Sequence, residues 1–265
     1  GYTAAETLFL SLAGMSFFDA LNHSMSTLST GGFSTKNASV AHWNDTPLIQ
    51  YIIVLFMFLA GTNFVLSYFV FKGNIRRVVK DEEFKLYFKF ILIFSLIVGG
   101  IIYFNTYLNG VSTFSHPLTF GVGEGSFRHA FFQVVAIVTT TGFVSADYTL
   151  WSPFLLVFFF GLMFLGGSAG STSGGVKVVR HLVLIKNGFL EFKRTLHPSA
   201  ILPVRYNEKS VSGEIVFNVL GFFILYMLSF IVGSLGFALL GLDFESAIGV
   251  AASSLGNVGP ALGEF

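Results

Sequence analysis

The chain has 265 residues, of which 53% are hydrophobic and only 11% charged, a balance outside the range of soluble globular domains. That little charge cannot clothe a soluble surface, and thirty-four Phe residues bring more apolar area than a core of this size encloses, so a bilayer is the expected solvent. A net charge of +1 gives no sign of nucleic-acid binding, and with no Cys there is neither a disulfide framework nor a thiolate metal site.

In chain order, the sequence opens at Gly1-Tyr2-Thr3 with no initiator Met and no basic leader, which reads as a piece of something longer. A helix needs roughly 20 apolar residues to cross about 30 Å of hydrocarbon. A first apolar stretch ends near Ser29 and at about 12 residues is too short to span, so it reads as a re-entrant half-helix. Pro47 to Phe71 is long enough for a span, and so is Phe84 to Tyr107. A second short stretch ends near Thr139. Leu150 to Ile185 is too long for one span and is interrupted by Gly166-Gly167-Ser168-Ala169-Gly170-Ser171-Thr172-Ser173-Gly174-Gly175, which predicts two helical halves joined by non-helical backbone. Ser212 to Leu240 is the last span, followed by a third short stretch ending near Gly256.

Six Lys and Arg lie between Lys72 and Lys89 and seven between Lys177 and Lys209, leaving only Lys36 and Arg128 elsewhere. By the positive-inside rule these two connectors are cytoplasmic, which puts Ser34 to Thr46, Asn105 to Ser126 and Phe143 to Thr149 outside. Trp43, Trp151 and several Tyr are expected in the interfacial belt. Lys177 and Arg180 are expected only to anchor the half-helix after the Gly-rich segment at the cytosolic surface.

Aligning Gly32, Gly142 and Gly259, at offsets of 110 and 117 residues, superposes Phe17, Phe127 and Phe244, and likewise Ala20, Ala130 and Ala247. Each half-helix, starting after Asp19, Arg128 or His129, and Glu245, runs into a polar Gly-bearing turn. The turns read Leu28-Ser29-Thr30-Gly31-Gly32-Phe33, Thr139-Thr140-Thr141-Gly142-Phe143 and Leu255-Gly256-Asn257-Val258-Gly259-Pro260. Stripping water from K⁺ inside a membrane requires a ring of carbonyl oxygens, and Gly allows successive carbonyls to turn toward one axis. The filter oxygens expected are the main-chain carbonyls of Thr30, Gly31, Gly32, Thr140, Thr141, Gly142, Asn257, Val258 and Gly259.

Among other residues, the Gly-rich decapeptide lacks the Gly-Lys-Ser/Thr of a phosphate loop, and irregular backbone at that depth survives only against protein or a water-filled cavity. His23, His42, His116, His129, His181 and His197 show no metal-ligand spacing, so no transition-metal site is expected. His23 is expected to give polar support behind the first turn. Asp19, Asp243 and Glu245 stand near half-helix starts, where capping and cation attraction are both open. No Ser/His, Asp/Asp or His-Glu-x-x-His constellation supports an enzyme. A gated pore and an ion-coupled secondary transporter are the two function classes. Repeats that recur in one direction favour the pore, since many such transporters use inverted ones.

These residues resemble the membrane subunit of the Trk/Ktr/HKT potassium-transporter superfamily, and more closely its bacterial Trk branch. The resemblance rests on Gly14-Met15-Ser16-Phe17-Phe18-Asp19-Ala20 leading to Ser29-Thr30-Gly31-Gly32-Phe33-Ser34-Thr35, and on Thr139 to Phe143, Gly166 to Gly175 and Leu255 to Pro260. His197-Pro198-Ser199-Ala200 followed by Pro203-Val204-Arg205 resembles the cytosolic connector of the Trk branch. The resemblance implies an all-α membrane protein with pseudo-fourfold helix, pore-loop, helix repeats in the bacterial cytoplasmic (inner) membrane. Residues 1–80 would be the end of repeat two, 81–195 repeat three and 196–265 the start of repeat four, with repeat one absent. It further implies K⁺ as the transported ion, no covalently bound cofactor, and a gate formed below the filter by Gly166 to Gly175. A homodimer surrounded by membrane lipid and docked on a cytosolic nucleotide-binding regulatory ring is also implied, with both basic connectors facing the ring. Gly at all three filter positions is similar to K⁺-selective members.

Overall fold

The computed structural model describes residues 1–108, 110, 114, 116, 118–197, 200 and 202–263, so Pro198 and Ser199 of the connector motif lie outside the described residues. Helix α1 (Tyr2–Leu12) leads into α2 (Phe17–Leu28), which starts where the Ser16 hydroxyl accepts a hydrogen bond from the Asp19 amide at 3.1 Å. Helices α3 (Pro47–Ala60), α4 (Phe64–Phe71) and α5 (Ile75–Lys80) follow, then α6 (Glu82–Tyr103), capped by Asp81 and extended by a π-turn to Leu108. This 27-residue unit is about 40 Å long at 1.5 Å per residue, enough to cross the bilayer. Helix α7 (Gly121–Val138) precedes α8 (Pro153–Leu162) and α9 (Val178–Leu196), and a two-stranded hairpin, β1 (Arg205–Tyr206) and β2 (Lys209–Ser210), leads to α10 (Gly213–Leu239) and α11 (Phe244–Gly256). The fold is therefore an all-α membrane architecture, with the hairpin on the connector between α9 and α10.

Helices α2, α7 and α11 each pack on the helix before them, respectively α1, α6 and α10. The core centres on α7, whose residues from Phe132 to Val138 are fully buried between α6, α3 and α8. By contrast α10 buries only Val216 and Tyr226, leaving an apolar cylinder available to lipid.

Three expectations are corrected here. The span expected over Pro47 to Phe71 is two helices bent by 108° at Gly61-Thr62-Asn63. Asn63 starts α4 by accepting from the Val65 amide at 2.8 Å, and the carbonyl of Gly61 is taken by the Ser168 amide at 2.8 Å. The half-helix expected to start after Arg128 or His129 begins instead at Gly121 and runs 18 residues. Its added turns have a packing partner, because Phe127 lies so close to Gly99 of α6 that a Cβ there would meet its ring at 2.5 Å. Trp151 is not a belt residue: it is buried in the core beside Phe159, and Trp43 is half-buried with its ring edge-on to His23. The interruption expected between residues 150 and 185 does occur, with α8 and α9 separated by non-helical backbone.

Candidate functional site

Helices α2, α7 and α11 end in one hydrogen-bonded turn repeated three times. The Gly31 amide donates to Ser26 O and the Thr30 amide to Thr27 O; Thr141 and Thr140 donate to Ala136 and Ile137, and Val258 and Asn257 to Ser253 and Ser254. This nested pair is a Schellman closure, which needs a left-handed residue just past the helix. Thr30, Thr140 and Asn257 take that place with φ of 53°, 54° and 54°. Two residues on, Gly32, Gly142 and Gly259 also have positive φ, at 68°, 80° and 105°. A β-branched Thr in the left-handed region is strained by about 1–3 kcal/mol, and such strain persists only where the surroundings impose it.

The turns lie side by side in chain order. A Cβ on Gly32 would stand 2.0 Å from the Thr141 carbonyl oxygen, and one on Gly142 would stand 2.2 Å from that of Val258. Gly259 is looser, its nearest neighbour being the Gly142 Cα at 3.5 Å from such a Cβ. Backbone therefore touches backbone at the first two junctions, which no side-chain-bearing residue permits.

The segments beyond the turns are tied back to their half-helices. Asp19 accepts from the Thr35 hydroxyl at 2.5 Å and pairs with Lys36 at 3.4 Å. His23 Nδ1 lies 2.7 Å from the Asp19 carbonyl, which can only accept, so Nε2 is left to take the Ser34 hydroxyl at 2.9 Å. His23 thus supports the first turn from behind, and Asp19 holds the following segment while Ser16 caps the helix. In the second copy His129 Nδ1 bonds the Ser145 hydroxyl at 2.9 Å and Gln133 donates to the Ala146 carbonyl at 2.9 Å. Asp243 caps α11, accepting from the amides of Glu245 and Ser246. His116 and His129 meet at 3.2 Å, a pair that sequence spacing conceals, and burial followed by the nearby Arg128 charge keeps the His116 imidazole below its usual range. Among the described residues no group of three or more His, Asp or Glu side chains could hold a metal ion.

The Gly166 to Gly175 loop packs directly against these turns. The Thr30 hydroxyl donates to the Thr172 carbonyl at 3.0 Å, and the Thr140 hydroxyl accepts from the Gly174 amide at 2.6 Å. A Cβ on Gly174 would meet the Gly256 carbonyl at 2.6 Å. On its other side the loop fills the bend between α3 and α4, where Ser168 donates to Gly61, Phe64 donates to Gly170, and the Thr172 hydroxyl donates to Ala60. The two strained Thr residues are therefore those whose hydroxyls reach the loop.

Two tethers are absent from the expectations drawn from sequence. Glu83 of α6 accepts from the Ala169 amide at 2.6 Å and from the Val179 amide, at the start of α9, at 3.1 Å. Lys177 does more than anchor α9, because its ammonium folds back to donate to the carbonyls of Ser171 and Ser173 and to the Ser173 hydroxyl. Arg180 stacks on Phe222 of α10, with its guanidinium 3.6 Å from the ring centre. The signal for Glu83 was present as an acidic first turn, Asp81-Glu82-Glu83, inside a connector read only for its cations.

A sequence model of the TrkH family, described as a cation transport protein, matches residues 3–265. The chain belongs to the TrkH family. It is 38% identical over 262 residues to the Trk system potassium uptake protein TrkH of Salmonella typhimurium strain LT2, covering 98% of this chain and 52% of that protein. It is 36% identical over 266 residues to the protein of that name in Escherichia coli strain K12, again 98% of this chain and 52% of the relative. The crystal structure of the potassium transporter TrkH from Vibrio parahaemolyticus superposes with a TM-score of 0.88 at 35% identity, over 99% of this chain and 54% of that one. This TrkH-family chain thus spans about half the length of the curated relatives it matches. Family and apolar helices together make it an integral protein of the cytoplasmic membrane.

Proposed function

We propose that the three turns are walls of a pseudo-fourfold K⁺ filter, with a further wall from outside this chain. Main-chain carbonyls around Thr30 to Gly32, Thr140 to Gly142 and Asn257 to Gly259 replace the water shell of the ion. The observation that carries this reading is the Gly-mediated contact of turn on turn, which sets three left-handed closures edge to edge. Residues 1–80, 81–195 and 196–265 are then successive parts of repeats two, three and four. The relatives' names as potassium uptake proteins support K⁺ as the ion, and the same-direction recurrence of the turns supports a pore over a coupled transporter.

In this reading Gly166 to Gly175 is the gate, since it hydrogen-bonds two of the three turns from one side. The cytosolic nucleotide-binding ring and the homodimer follow from the family resemblance, with the basic connectors as the surface offered to the ring. The test is a crystal of the intact protein soaked in Tl⁺ or Rb⁺. Anomalous peaks on the axis between Gly32, Gly142 and Gly259 are expected; an empty axis at an ion concentration that sustains flux would overturn the filter.

A further inference from the structure

Beyond the 108° bend, α4 and α5 swing away from α3, and between them, the start of α6 and the β-hairpin lies a cavity of about 890 Å³. Its wall gathers five cations, Arg76, Arg77, Lys80, Lys85 and Lys209, against three carboxylates, Asp81, Glu82 and Glu208. Two of those carboxylates are already engaged. Asp81 caps α6 and accepts from the Asn207 amide side chain at 2.7 Å, and Glu82 takes the Lys186 ammonium at 2.6 Å and the Asn207 main-chain amide at 3.0 Å. Among the described residues Arg76, Arg77, Lys80, Lys85 and Lys209 make no ion pair, and Arg77 instead lies over the Phe69 ring at 3.9 Å. Like charges gathered in one cavity repel, so the site favours an anion.

The rest of the wall mixes polar residues, Asn63, Asn74, Asn207 and Ser210 among them, with an apolar stretch. Leu66, Phe69, Val211 and Ile215 belong to that stretch, and the adjoining surface continues it, with Phe71, Ile75 and Val79 each more than half exposed. A cationic rim beside apolar side chains, at the end of a span and in a connector assigned to the cytosol, matches an anionic phospholipid: its phosphate meets the cations and its acyl chains meet the apolar stretch. The geometry points to a binding site for the phosphate group of an anionic phospholipid, held between α5, the first turn of α6 and the hairpin. Nothing in this assignment depends on where ions permeate.

Native mass spectrometry of the intact protein, with phosphatidylglycerol or phosphatidylcholine added to the detergent, tests it. Phosphatidylglycerol adducts should persist where phosphatidylcholine adducts do not. The triple variant Arg76→Gln/Lys80→Gln/Lys209→Gln should bind phosphatidylglycerol at least about tenfold more weakly. A charge-keeping variant, Arg76→Lys/Lys80→Arg, should bind as the parent does, and so should Lys89→Gln/Lys193→Gln, which removes charge outside the cavity. Equal retention of both lipids, or undiminished binding by the triple variant, would overturn the site. Displacement of phosphatidylglycerol by millimolar inorganic phosphate alone would leave a phosphate site but overturn its assignment to lipid.

Discussion

Three glycines at equivalent positions are not equivalent in space. Gly32 and Gly142 face a neighbouring carbonyl at 2.0 and 2.2 Å from where a Cβ would stand, whereas Gly259 has 3.5 Å. All three have positive φ, so any L-residue carries a conformational cost of about 1–2 kcal/mol at each. At the first two positions the added atom must also push an adjacent turn aside. Gly32→Ser and Gly142→Ser are therefore expected to abolish Rb⁺ uptake or its preference over Na⁺, while Gly259→Ser retains flux with a smaller loss of preference. Isotope flux from reconstituted vesicles, with thermal unfolding to confirm folding, would check this order, and an effect at Gly259 as large as at Gly142 would count against the contact model. At this scale sequence reading located the turns, because a Thr or Asn two residues before a Gly encodes backbone conformation. It could not rank the glycines, since their tightness depends on a turn more than a hundred residues away.

The interruption between α8 and α9 was legible as poor helix propensity: five Gly and three Ser in ten residues weaken a helix by up to about 1 kcal/mol per Gly relative to Ala. Its partner, the bend between α3 and α4, was masked by the apolar residues around a single Gly61, and only Asn63 as a cap marked it. The Gly-rich loop is held by Thr30, Thr140, Glu83, Lys177 and the Gly61 carbonyl. A loop with this many tethers rests in one arrangement until several are released together. Deleting Ser168 to Ser173 removes the residues bearing most of them, and in the full-length protein basal K⁺ or Rb⁺ uptake is expected to rise several-fold while dependence on the proposed cytosolic ring weakens. Uptake and regulation both unchanged in a folded deletion variant would show that the loop does not gate. The tethering by Lys177 and Glu83 was not foreseen for a common reason: Lys177 was read only as an anchor and Glu83 not at all, and each acts by hydrogen-bonding irregular backbone that sequence does not place.

For the molecule as a whole, the positive-inside rule applied to the basic connectors gives the orientation expected. Lys80 at the end of α5 and Lys193 near the end of α9 belong to the cation-rich connectors, and Lys36 lies beyond the first turn, on the side away from the Gly-rich loop. Single-Cys labelling of intact cells with an impermeant reagent should modify Lys36→Cys and spare Lys80→Cys and Lys193→Cys; the reverse pattern would invert the molecule. The long apolar helices α6 and α10 were readable because apolar length is a one-dimensional property, while the bend between α3 and α4, the N-terminal extension of α7 and the burial of Trp151 depend on helices meeting in three dimensions. The contact of turn on turn has a mechanical consequence. With no side chain cushioning the first two junctions, the turns resemble stones of an arch set without mortar. One cannot recede without unloading the next, so the three turns share a single stiffness belonging to the assembly, and the filter proposed here would be adjusted in width by all three or by none.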